Sequence, residues 1–289
     1  MTVIGLGPMG VALAEAFLAQ GHPTTVWNRT PKKGDGLVAK GARRVDTISE
    51  AVSASKFVVV CLKDYDAMYA VLDPADEALS GRVLVNHSSG IPEQARNAAI
   101  WAAHKGVDYL DGAIMVPPQA VGHPDSVFLY SGPQSLFEAH EKTLLSMGGT
   151  RYLGTDPSLA VLYNTALLSL MYSSLQGFLH AAALVGSANV RVTTFAEIAI
   201  GWFLPSVVNP YLLMEAPDID KGNYPGDRGN MVMNMTALDH IFHTSKEQGI
   251  SSDLPEQLKK LAENAISAGY GDRNFMAVIE LLKNPSKES

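Results

Sequence analysis

The sequence predicts an α/β chain in two parts: a mostly parallel-sheet domain over residues 1–155 and an all-helical domain over 156–289, joined by one long helix. Three observations predict it. Through the first half, short Val/Ile/Leu runs bounded by turns alternate with amphipathic stretches, the pattern of βαβ units in a sheet covered on both faces. The stretch GLGPMG lies between the first such run and the first amphipathic stretch. From Pro157 to Val190 there is no Asp, Glu, Lys or Arg, and beyond it the strand pattern stops.

Taken in order, TVIGL is the first strand, PMGVALAEAFLAQG the first helix, and PTTVW a second strand followed by a basic turn. FVVVCL with DYDAMYAVLD, and RVLVN with IPEQARNAAIWAAHKG, are further strand–helix pairs; VDYLDGAIM, SVFLYSG and TRYLG extend the sheet to about residue 154. From Ser158 the periodicity is helical, over 158–187, 194–214, 229–248, 254–268 and 274–283, and the KNPSKES tail is expected to be disordered. At 1.5 Å per residue, the first of these helices would reach about 45 Å, more than a small domain is wide. A helix so long and so apolar requires a partner surface, so a homodimer is expected, with helices exchanged between copies.

The chain has 289 residues, 47% of them hydrophobic and 18% charged, enough for a large core in two domains. A net charge of −7, with no Lys/Arg cluster longer than two, leaves no footprint for nucleic acid or an anionic membrane. Cys61 is the only cysteine, which excludes an intrachain disulfide or a cysteine metal site and fits a reducing cytoplasm. The uncharged run is long enough to span a bilayer. Asn164, Ser169, Tyr172, Ser173, Ser174, Gln176 and His180 interrupt it, and no second segment of the kind is expected, so it reads as a buried helix. Asp239, His240 and His243 have metal-ligand spacing without a third ligand, and no metal is expected.

Gly5-Leu6-Gly7-Pro8-Met9-Gly10 matches G-x-G-x-x-G at the first strand-to-helix turn and marks the N-terminal part as a Rossmann domain. Glycine at 5 allows the tight turn, at 7 the approach of backbone to a pyrophosphate, and at 10 close helix–strand packing. An NAD site would end its second strand in Asp or Glu; here Asn28, Arg29 and Thr30 follow, with Lys33 nearby. Arg29 can fork onto a 2′-phosphate, with hydrogen bonds from Thr30 and Asn28 and a point charge from Lys33, so NADPH is expected over NADH. Loops at the carboxyl ends of later strands should complete the pocket. They are Cys61-Leu62-Lys63, the stretch Asn86-His87-Ser88-Ser89-Gly90, and 113–118. Asn86 and Ser88 either contact ribose or nicotinamide or cap the helix near Pro92, and His87 is expected as an exposed loop residue.

On the long helix, Leu168, Met171 and Leu175 lie within about 40° of the direction of Asn164, with Tyr172 about 80° round. Two polar groups on an apolar face suit a small-molecule pocket; hydrogen bonds across a helix interface would explain them equally.

GLGPMG, VWNRT with Lys33, NHSSG, DGAIMVPP and GTDPSLAVLYNTALL together resemble the NADPH-dependent imine reductases over nearly the whole chain, and more distantly the β-hydroxyacid dehydrogenases. The resemblance implies reduction of cyclic imines or iminium ions to amines, in a cleft between domains and subunits. The catalytic lysine of the β-hydroxyacid dehydrogenases would fall near Leu162, yet this sequence has no lysine between Lys142 and Lys221. That absence suits a cationic C=N group, which an ammonium would repel. Where imine reductases commonly carry Asp or Tyr, this chain has Asn164, which supplies no proton near neutral pH. Tyr172, with a reference pKa of about 10, is the nearest candidate donor, with water or an imine protonated before binding as equal alternatives, and Asn234 aligns with a polar pocket residue expected from the other subunit. Met231, Met235, Trp202 and Phe178 are candidate apolar walls, the core reading being the stronger one for the methionines. Two alternatives remain: a carbonyl reductase like the β-hydroxyacid dehydrogenases, holding a carboxylate with Arg191, Lys221 or Arg228, and a non-catalytic NADPH-binding regulator.

Overall fold

The computed structural model describes residues 1–284. It divides into two compact units, Met1–Leu170 and Met171 onward.

In the first unit eight strands form one sheet: β1 (Thr2–Ile4), β2 (Thr25–Trp27), β3 (Arg43–Arg44), β4 (Phe57–Val60), β5 (Val83–Asn86), β6 (Asp108–Ile114), β7 (Val127–Ser131) and β8 (Gly149–Tyr152). Their order is β3-β2-β1-β4-β5-β6-β7-β8, parallel except that β7 runs antiparallel to β6. β3 has no apolar run and carries no strand signal; it is exposed and forms only because β2 offers it an edge. The helices are α1 (Pro8–Ala19), α2 (Asp35–Val38), α3 (Ile48–Ser53), α4 (Tyr65–Leu72), α5 (Asp76–Leu79), α6 (Pro92–His104), α7 (Gln134–Leu144) and the start of α8 (Leu159–Gly186).

Strand alternation builds a core on each face of the sheet. Val3, Val59 and Val85 face one way, onto Leu13 and Phe17 of α1 and Phe137 of α7. Ile4, Val58, Val60 and Leu84 face the other, onto Met68 and Leu72 of α4 and Ala98 of α6. Local signals set the helix starts: Pro8 at the first position of α1, a reciprocal Thr47–Glu50 box at α3, and Asp64 accepting from Ala67 N at 2.8 Å for α4. At α6 the cap is Ile91, whose N–H donates to Gln94, so neither Asn86 nor Ser88 caps that helix. α8 is anchored where it begins. Arg96 donates to Ser158 at 2.9 Å, and Ala160 N to Ser131 Oγ at 3.0 Å.

In the second unit α9 (Val192–Ile198), a π-helical stretch at Ala199–Val208 and α10 (Asn209–Asp220) run on as one helix. Expected to end near 214, it continues through Pro217 to Asp220. Pro205 sits within the π stretch, where shifted hydrogen bonding absorbs its missing N–H. α11 (Met231–Glu247), α12 (Asp253–Ala265) and α13 (Val278–Lys283) surround a small core of Met231, Leu238, Ala262, Ala265 and Val278.

The expectation of a single long apolar segment is corrected here. Leu159–Gly186 and Val192–Asp220 are both long and apolar enough to cross a bilayer by length and composition. Nor is α8 buried as expected. Beyond Ala160 and Val161 most of its residues are exposed in the single chain.

Candidate active site

Parallel register puts the ends of β1, β4, β5 and β6 along one edge of the sheet, with the order reversing between β1 and β4. Ligands of open α/β sheets bind at such a reversal. A groove of about 670 Å³ lies there, lined by Gly5, Gly7, Pro8, Met9 and Gly10 from the glycine loop, Asn28, Arg29, Thr30 and Lys33 from the turn after β2, and Cys61 and Leu62 after β4.

The glycines fit a pyrophosphate. Gly5 has φ +94°, and a Cβ there would overlap the Cys61 carbonyl oxygen; one at Gly10 would overlap the Gly5 carbonyl oxygen. At Gly7 nothing stands within 4 Å of where a Cβ would be, so that backbone opens to the groove at the N-terminus of α1, which favours an anion. Gly34 explains the first glycine of KKGDG: it is buried, and a Cβ would press at 3.3 Å on Arg44.

Arg29 and Lys33 are exposed and form no ion pair among the described residues. Asp35, the nearby acid that would repel a phosphate, is paired with Arg44. Asn28 lines the groove and is also engaged within the protein. Its oxygen accepts from Leu6 N at 2.9 Å and its nitrogen donates to Thr30 O at 3.0 Å, so it braces the glycine loop against the basic turn.

Through Met9, Cys61, Leu62 and Lys63 the groove adjoins a cavity of about 310 Å³. Its other walls are His87, Ser88, Ser89 and Gly90 after β5, Gly112, Ala113 and Ile114 of β6, and Val161 and Asn164 of α8. Burial pushes the Cys61 thiol up to about 11, so it is an inert wall. Ser88 Oγ accepts from Leu62 N at 3.4 Å, tying two loops together.

Two expectations are corrected in this cavity. Asn86 is wholly buried, its oxygen accepting from Ser88 N at 3.0 Å and its nitrogen donating to Tyr109 Oη at 3.2 Å. It shapes the loop and does not line the cavity. His87 is 7% exposed, not a surface residue, because its ring packs edge-on to Phe128 and Tyr130. Beneath the loop, Asp111 Oδ2 accepts from Tyr65 at 2.7 Å and Tyr109 at 2.6 Å. Burial raises its carboxyl to about 7, against the pull of those hydroxyls.

The sequence comparisons agree on both parts of the chain. Residues 1–155 match the family model for the NAD binding domain of 6-phosphogluconate dehydrogenase, and residues 156–284 that for the C-terminal domain of NADPH-dependent reductive aminase-like proteins. An NADPH-dependent reductive aminase of Aspergillus oryzae is 38% identical over 97% of this chain and 96% of its own. The chain belongs to the imine reductase and reductive aminase family. An imine reductase of Bacillus cereus superposes with a TM-score of 0.91 at 39% identity, covering 98% of each chain. A reductive aminase of Aspergillus terreus, solved with NADPH4, cyclohexanone and allyl amine, gives 0.88 at 39% identity, covering 97% of this chain and 98% of that one.

Of the three residues assigned to chemistry, Asn164 lines the cavity. Tyr172 and Asn234 belong to the second unit, where Tyr172 is 65% exposed and Asn234 donates to Asn230 O at 2.9 Å. Met231 is fully buried and Met235 packs on that core, so both are core residues; Phe178 stacks on Phe195, and Trp202 is exposed. Val161 was not singled out in the sequence, although it stands one helical turn before Asn164 and so shares its face.

Proposed function

We propose that the protein reduces cyclic imines and iminium ions to amines with NADPH, in a cleft that the helical domain of a second copy completes. The observation that carries the reading is the smaller cavity. Its chemistry-bearing groups are the neutral Asn164, Ser88, Ser89 and His87 among apolar Met9, Ile114 and Val161, and α8 brings it no ammonium. Lys63, at its rim, is 91% exposed, lies 3.4 Å from Asp64 and also borders the nucleotide groove, where phosphate is its natural partner.

Bound NADPH supplies the hydride, from C4 of its nicotinamide. Gly5, Gly7 and Gly10 with Pro8 and Met9 would hold its pyrophosphate, and Arg29, Thr30 and Lys33 its 2′-phosphate, with Cys61, Leu62, Ser88 and Ser89 as walls nearer the cavity. Asn164 orients the substrate nitrogen through its amide, Tyr172 gives the proton, and Asn234 adds a polar contact from the second copy. Holding the reactants together in a dry pocket provides most of the rate. Tyr172→Phe should lower turnover severalfold; unchanged kinetics on a neutral imine would remove Tyr172 from the proton path.

The second copy is favoured by what the single chain leaves uncovered. Leu179 of α8 and Leu213 of α10 are 65% and 76% exposed, among many large apolar neighbours, far more than a lone soluble chain tolerates. The polar residues within α8 favour a protein partner over lipid, and we assign the protein to the cytoplasm as a helix-exchanged homodimer with functional parts 1–155 and 156–289. Light scattering should give twice the chain mass, and a monomer at micromolar concentration would contradict this.

A carbonyl-acid reductase is less well supported. Arg191 donates to Thr193 at 2.9 Å, and Arg228 lies 3.7 Å from the buried Glu215, so two of the three cations available for a carboxylate are engaged. NADPH absorbance followed with a cyclic imine, with an α-keto acid and with neither separates the readings. Oxidation with the imine alone is expected; oxidation with the keto acid alone would favour the carbonyl reductase, and none with either the regulator.

A further inference from the structure

Among the described residues four buried side-chain atoms make no hydrogen bond: Nδ1 and Nε2 of His87, Oδ1 of Asp111 and Oη of Tyr130. Their residues adjoin Gly112. Asp111 precedes it, Tyr130 is its cross-strand partner in β7, and the imidazole of His87 occupies the space where a side chain at 112 would stand. A desolvated polar group without a partner costs about 1–3 kcal/mol, and a folded protein that keeps one needs a reason for it. Asp111 is held by its two tyrosines through Oδ2. Tyr130 does not line the cavity, whereas His87 and Gly112 do.

Burial pushes the imidazole down to about 4, a shift that the Gly112 backbone opposes. A neutral imidazole offers one N–H donor and, on the opposite edge, one bare acceptor nitrogen; the bare nitrogen can accept from an amide N–H, and the ring adds no charge to repel an iminium. The groove fixes which amide. With 2′-phosphate at Arg29 and pyrophosphate at the glycine loop, the other end of a dinucleotide passes Met9, Cys61 and Leu62, the residues that the groove shares with the cavity holding His87.

We infer that His87 binds the carboxamide of the nicotinamide and so sets which way the ring lies in the cavity. The inference rests on the NADPH reading of the groove, and its test is a binding measurement that involves no imine. Dissociation constants are measured by fluorescence for NADPH, for its 3-acetylpyridine analogue, which lacks the amide N–H, and for adenosine 2′,5′-bisphosphate, which lacks the nicotinamide. His87→Phe keeps a ring against Phe128 and Tyr130 but removes both nitrogens. It should weaken NADPH by about tenfold, the size of one neutral hydrogen bond, leave the bisphosphate unchanged, and no longer distinguish NADPH from the analogue. His87→Gln should recover much of the loss. Unchanged NADPH affinity in His87→Phe, or an equal loss for the bisphosphate, would overturn the inference. Should that variant not fold, the unsubstituted protein decides: NADPH should bind severalfold tighter than the analogue, and equal affinities would overturn the inference. Failure of the unsubstituted protein to bind NADPH at all would overturn the cofactor reading with it.

Discussion

Arg29→Glu should lower kcat/KM for NADPH by about a hundredfold or more while changing that for NADH by no more than a few fold. The guanidinium is exposed, unpaired and on the rim of the groove, so its substitution removes no internal contact. A forked arginine–phosphate contact comprises two charge-assisted hydrogen bonds of roughly 1.5–3 kcal/mol each, and the new carboxylate would repel the phosphate besides. Steady-state kinetics with both cofactors on one imine measures the ratio. Equal losses for NADPH and NADH would show that the basic turn serves the fold, and an unchanged ratio that the 2′-phosphate lies elsewhere.

The second large effect separates two glycines three residues apart. Gly10→Ala should abolish soluble expression or lower the melting temperature steeply. Its methyl group would occupy the space of the Gly5 carbonyl oxygen, and neither the loop nor the start of α1 can withdraw without breaking the parallel pairing of β1. Gly7→Ala adds the same methyl where nothing stands within 4 Å, so its melting temperature should match the parent. Its NADPH affinity should fall by about tenfold or more, because the backbone no longer admits a pyrophosphate. Thermal unfolding by circular dichroism, with NADPH titration of the soluble variant, distinguishes the two. A well-folded Gly10→Ala protein would contradict the packing described here, and full NADPH affinity in Gly7→Ala would displace the pyrophosphate from this loop.

What the sequence makes legible here is local. The glycine loop, the basic turn and the strand runs are each specified within about six residues, so the groove and the face of α8 bearing Asn164 follow from pattern alone. What it hides depends on residues distant in the chain. His87 reads as a loop residue until Phe128, Tyr130 and the bare backbone of Gly112 close over it. Asn86 has the composition of a ligand contact, and only its pairing with Tyr109 beside Asp111 turns it into a brace. The helix from Val192 to Asp220 reads as ending near 214, because Pro217 looks like a break. The exposed faces of α8 and α10 are left to the proposed second copy, whose contacts no local pattern specifies.

The central claim is that a cavity with neutral polar groups beside the nucleotide groove presents a C=N carbon to reduced nicotinamide. Turnover of a cyclic imine with NADPH carrying deuterium in both C4 positions tests it most directly. The expected product is an amine with one deuterium on the former imine carbon, formed in step with cofactor oxidation. An unlabelled amine, or label recovered only in an alcohol from a carbonyl compound while the imine is untouched, would contradict it.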